Sequence, residues 1–71
     1  MNESIKTLVE LGYNKKDAKD IVNAYALNTF KDETLKENIK ANYKLLIGLG
    51  YIKEEVIKMA KTLPALYSYS E

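Results

Sequence analysis

Apolar residues in this chain recur at spacings of three and four rather than two, the period that lines one face of an α-helix. Ile5, Leu8, Val9 and Leu11 mark a first helix near residues 3–11, and Gly12 stands where a left-handed residue would end it. Asn14 then caps a second helix, with Asp17 placed to reach back to the cap amide and Tyr13 placed to staple onto Ala18. The buried stripe continues through Ala18, Ile21, Val22 and Tyr25. Periodicity lapses over residues 27–31, which read as a connector or a short helical turn. Asp32 is the expected cap of a long helix running through Leu49, striped by Leu35, Ile39, Tyr43, Leu46 and Ile47 and stopped by Gly50. A last helix over about 53–63 carries Val56, Met59, Ala60 and Leu63, and Pro64 bars its straight continuation.

The pattern also repeats. Sliding the chain by 38 positions lays Lys6 on Lys44, Leu8 on Leu46, and Leu11-Gly12-Tyr13 on Leu49-Gly50-Tyr51. Ala18, Ile21, Val22 and Tyr25 fall on Val56, Met59, Ala60 and Leu63, so the same faces are apolar in both copies. The expected fold class is therefore all-α: a small helical-repeat domain over residues 1–71 with about four main helices. Two degenerate helix-turn-helix repeats make it up, the first over about 1–38 and a truncated second over about 39–71. The second copy stops where the first begins its long helix at Asp32-Glu33. Leu66, Tyr67 and Tyr69 would then lack the element that covers them, and a homo-oligomer closing over this C-terminal end is expected.

Composition narrows the chemistry. At 71 residues the chain has room for one small core, so caps and inter-subunit contacts weigh heavily in its stability. His, Cys, Trp and Arg are absent, which removes the usual parts of zinc sites, thiol or Ser-His nucleophiles and disulfide scaffolds. Eleven Lys against ten acidic residues leave a net charge of +1, too little for a bulk field that draws in nucleic acid or anionic lipid. No apolar stretch reaches the length of a membrane span or a signal h-region, and a cytoplasmic protein with no membrane partner is expected.

The stretch from Leu45 to Glu71 carries a leucine-rich helix ending in Leu49-Gly50, an acidic helix start at Glu54-Glu55, Pro64-Ala65-Leu66, and Ser68-Tyr69-Ser70-Glu71. It resembles a repeat of the mitochondrial transcription termination factor (mTERF) family. Residues 8–49 resemble a degenerate preceding repeat, with Ala26 in the place of the proline and Phe30-Lys31-Asp32-Glu33 in the place of the serine turn. The resemblance implies stacked helical repeats that form a curved, usually basic superhelix binding double-stranded DNA or RNA. Where the family commonly places a Ser or Thr cap after Leu-Gly, Ile52 offers no acceptor, so the last helix is expected to start less firmly. Residues 8–18 are also similar to the first helix and loop of ubiquitin-associated domains, which implies a protein-interaction module.

Among candidate functional residues, Lys36, Lys40 and Lys44 recur every four positions on the long helix, a row able to follow a phosphate backbone, with Lys58 and Lys61 adding to it if the last helix is turned the same way. Lys supplies point charges without a bidentate fork, so DNA or RNA bound this way is held weakly, salt-sensitively and without sequence preference. A solvated helix face explains the same row. Of six tyrosines, Tyr13 and Tyr51 occupy staple positions and Tyr25 and Tyr43 lie on apolar stripes. Tyr67 and Tyr69 are expected to be exposed and, with Leu66, to form a partner interface. Asp17 with Asp20, and Glu54 with Glu55, sit at helix starts, where the helix dipole accounts for them without metal or acid-base work. The three glycines read as helix stops or, for Gly48, as a close-packing or terminal position. No catalytic residue, metal or cofactor is expected. The leading function is non-enzymatic nucleic-acid binding through the Lys face, and the alternative is protein interaction or self-assembly.

Overall fold

The computed structural model describes residues 2–24 and 27–69, and within them the chain is all-α. Its elements in order are α1 (Glu3–Leu11), α2 (Lys15–Val22), α3 (Asp32–Gly48), α4 (Lys53–Thr62) and a closing 3-10 helix over Pro64–Ser68. The expected places of Tyr25, Ala26, Ser70 and Glu71 in stripe and motif lie outside the described residues.

Local chemistry explains most boundaries. Asn2 Oδ1 accepts from the Ile5 amide at 3.0 Å and Asn14 Oδ1 from the Asp17 amide at 2.7 Å, each quieting a donor that a helix start leaves without an intrahelical partner. The other half of the expected box at Asn14 is replaced, because the Asp17 carboxylate goes to Lys61 Nζ on α4 at 3.2 Å. Helix α4 starts on the reverse half-box: Ile52 accepts nothing, while Glu55 Oε1 accepts from the Ile52 amide at 3.1 Å.

The two glycine stops share one turn. Gly12 and Gly50 adopt φ of 119° and 107°. The Gly12 and Tyr13 amides donate to Val9 and Leu8, and those of Gly50 and Tyr51 to Ile47 and Leu46, the same bonds 38 residues later. Gly48 is the last residue of α3, and a Cβ there would meet nothing within 4 Å, so it is a terminal position and not a close-packing one.

Asp32 departs from expectation. The residue capping α3 is Lys31, which makes no side-chain cap bond, and Asp32 begins the helix proper. Its carboxylate reaches across to α1, where Oδ2 accepts from the Glu3 amide at 2.8 Å and Oδ1 from the Ser4 amide at 3.0 Å. Ser4 Oγ returns the contact by donating to the Asp32 carbonyl at 3.0 Å. α1 and α3 therefore run side by side with their N-termini joined. These bonds, that from the Ser4 amide foremost, hold the Asp32 carboxyl below its ordinary value of 3.8. A carboxyl so depressed stabilises the fold above its unfolded pKa and loses that contribution as pH falls through the folded one. Asp32→Ala is thus expected to cost about 1–2 kcal/mol at neutral pH. Acid titration followed by circular dichroism checks it, since the gap between variant and parent should close below about pH 4; a constant gap refutes it.

The core lies between α1, α2 and α3 under a lid formed by α4 and the 3-10 helix. Leu8, Ala18, Leu27, Ile39, Ala60 and Tyr67 are among its fully buried members. Leu27 enters because residues 27–30 turn tightly, the Leu27 amide donating to Ala24 at 2.9 Å and the Phe30 amide to Leu27 at 3.2 Å. Three stripe residues expected inside lie outside: Val9, Ile47 and Leu63 are 43%, 39% and 58% exposed. Each sits at the margin of its apolar face, on the side that no neighbouring element covers.

Candidate interaction surface

Contrary to the expected C-terminal interface of Leu66, Tyr67 and Tyr69, Tyr67 is buried within the bundle. Tyr67 is the largest fully buried side chain, because the 3-10 helix after Pro64 folds back across the bundle. Its ring meets that of Tyr13 edge-on, with centroids 6.4 Å apart at 76°, and the two hydroxyls share a hydrogen bond of 2.8 Å. The Tyr13 hydroxyl also lies 3.4 Å from the Val56 carbonyl. Burial raises the pKa of both phenols above the ordinary value of 10.0 and keeps them neutral. Leu66 is half-buried, and only Tyr69 presents its ring to solvent, at 66% exposure. The Tyr69 carbonyl is pinned, accepting from Asn42 Nδ2 at 2.6 Å. Tyr67 is thus covered by the bundle itself, while Tyr69 stays open to solvent.

The lysines are split by the fold. Lys36 is half-buried with Nζ 3.9 Å from Glu3 Oε1, and Lys61 is engaged by Asp17. Lys40, Lys44 and Lys58 are exposed, with no ion pair among the described residues. Lys58 stands two residues from Val56, on the side of α4 turned away from its buried residues Val56 and Ala60. Of these five lysines, Lys40 and Lys44 remain as an unpaired couple on one helix among the described residues. The carboxylates divide similarly: Asp17 and Glu55 make the bonds already described, and Asp20 pairs with Lys16 at 3.6 Å. Among the described residues no group of three or more His, Cys, Asp or Glu converges in a way that could hold a metal ion. No helix there is long and apolar enough to cross a membrane.

What sequence reasoning missed is a second apolar flank on α3. Its core stripe comprises Leu35, Ile39 and Leu46. Beside it, at roughly 100° per residue, Ala41, Leu45, Gly48 and Leu49 form another. These residues, with Lys44, line an open groove of about 500 Å³. It meets a neighbouring depression bounded by Leu49, Gly50, Tyr51 and Glu55. Leu45, Leu49 and Ile52 are 53%, 67% and 57% exposed, an apolar corner where α3 turns into α4. Where α4 meets the 3-10 helix, Met59, Leu63 and Leu66 line a separate apolar groove with Lys58 and Thr62. The signal was present in the run Leu45–Leu49, which is too apolar for one helix face to absorb. Comparison with protein-family models, curated proteins and solved structures yields no match, so this surface is read on its geometry alone.

Proposed function

We propose that the chain is a non-enzymatic contact module of the cytoplasm, binding protein partners through the apolar corner of α3 and α4. One contrast carries this reading. Two stops with the same backbone turn are covered unequally: Tyr13 is 3% exposed against Tyr67, whereas its counterpart Tyr51 is 41% exposed. In the helical-repeat reading, with its resemblance to the mTERF family, such an uncovered second copy is what a further packed helix would occupy.

The test uses amphipathic helical peptides selected for binding to the full chain. Leu45→Lys is expected to weaken those peptides at least roughly tenfold while leaving the helical spectrum intact, because Leu45 lies outside the core. Undiminished binding by the variant would reject the apolar corner as the contact surface.

A second reading keeps nucleic acid as the partner, supported by the exposed pair Lys40 and Lys44. Ionic strength separates the two in the same titrations, since phosphate contacts weaken steeply with salt and apolar contacts do not.

A further inference from the structure

The outer edge of α3 is ordered by charge. At roughly 100° per residue, Glu33, Glu37, Lys40 and Lys44 project within about 60° of one another, acids in the N-terminal half and lysines in the C-terminal half. All four are exposed, and no ion pair joins them in the structure. This edge runs directly beside the apolar flank, on which Thr34, Ala41 and Gly48 repeat every seven residues and Leu45 stands between the last two. Small side chains at those three positions leave shallow holes, while Leu45 stands out as a knob.

An edge of this pattern is complementary to itself in one orientation only. Laid parallel in register, two copies would set Glu37 on Glu37 and Lys44 on Lys44. Laid antiparallel and centred between Lys40 and Ala41, they set Glu37 of each opposite Lys44 of the other, the two charges of this edge nearest the apolar flank, while the two Lys40 side chains flank the two-fold axis from the outer margin, and the helix dipoles oppose favourably. The same register drops each Leu45 into the hole bounded by Thr34, Glu37 and Ala41 of the other copy. We propose that a second copy of this chain docks antiparallel on the outer flank of α3, held by the two Leu45 knobs and the reciprocal Glu37–Lys44 pairs. The proposal rests on the contact-module reading above and names the partner. It places self-association on α3 and not on the buried C-terminal segment, and it withdraws Lys44 from any phosphate row.

Sedimentation equilibrium of the full chain over micromolar to millimolar concentration tests it. Glu37→Lys and Lys44→Glu are each expected to weaken the dimer roughly tenfold, and the double swap to restore it to within about threefold of the parent. Leu45→Lys is expected to leave a monomer. Circular dichroism serves as the folding control, and all three positions are solvent-facing. A monomer throughout the range, a swap that fails to restore association, or a dimer indifferent to Leu45→Lys would each overturn the proposal. A dimer of that last kind, or a monomer that still binds the selected peptides, leaves the contact-module reading standing; loss of peptide sensitivity to Leu45→Lys is what removes that reading.

Discussion

Tyr67→Ala is expected to remove roughly half of the fold's stability. A chain of this length has a total stability of about 4–10 kcal/mol. Truncating a fully buried aromatic residue costs about 3–5 kcal/mol. Tyr67 is 0% exposed, and its removal leaves the Tyr13 hydroxyl with only a 3.4 Å contact to the Val56 carbonyl. It also cuts a link that holds the 3-10 helix over α3 and α4. Tyr67→Phe keeps the ring and removes one hydrogen bond, so it should cost only about 1 kcal/mol. Urea melts followed by circular dichroism give both numbers; a Tyr67→Ala midpoint close to that of Tyr67→Phe would show that the lid is dispensable. The hydroxyl pair adds a pH signature. Both phenols have raised pKa values in the fold, so their contribution is complete below the unfolded tyrosine value near 10 and is lost as pH rises beyond it.

The second large effect is expected at Gly12. At φ of 119° an L-residue is strained wherever it sits, and an added Cβ would also run into the end of the Lys53 side chain and lie 3.2 Å from Ile57 Cδ1. Gly50 shares the strain, with φ of 107°, but has open space around it. Gly50→Ala should therefore cost about 1–2 kcal/mol, the strain alone, and Gly12→Ala the same strain plus a smaller increment, since the flexible end of Lys53 can swing aside and Ile57 Cδ1 must give way slightly. Equal losses in parallel thermal melts would mean that α4 does not press on the first stop. The comparison reads the covering of one turn and the bareness of the other as a stability difference.

Four helices, their glycine stops and the Asn14 cap were legible because each depends on residues within one or two turns. Even the kinship of the two stops could be read, since Leu-Gly followed by an aromatic residue writes its own turn. Long-range partners were not. Asp32 looks like a cap for the helix it begins, yet its carboxylate serves α1, a choice made only when the two N-termini meet. Tyr67 and Tyr69 look alike in sequence; one closes the core and the other faces water.

The candidate surface was misread for the same reason. In sequence, Leu45 and Leu49 belong to a leucine-rich helix end and Ile52 stands as a cap without an acceptor, while the expected interface lies at Leu66, Tyr67 and Tyr69. Periodicity reports which side chains share a face of a helix, because 3.6 residues per turn is a local property. It says nothing of which of two apolar faces a neighbour will cover, because that depends on where the chain returns after Pro64. Sequence alone thus determined an all-helical chain with matched stops, and one without His or Cys for imidazole or thiol chemistry. Tertiary structure decided that the C-terminal segment seals the bundle and that the flank of α3 is left bare, since burial is won by whichever surfaces the folded path brings together.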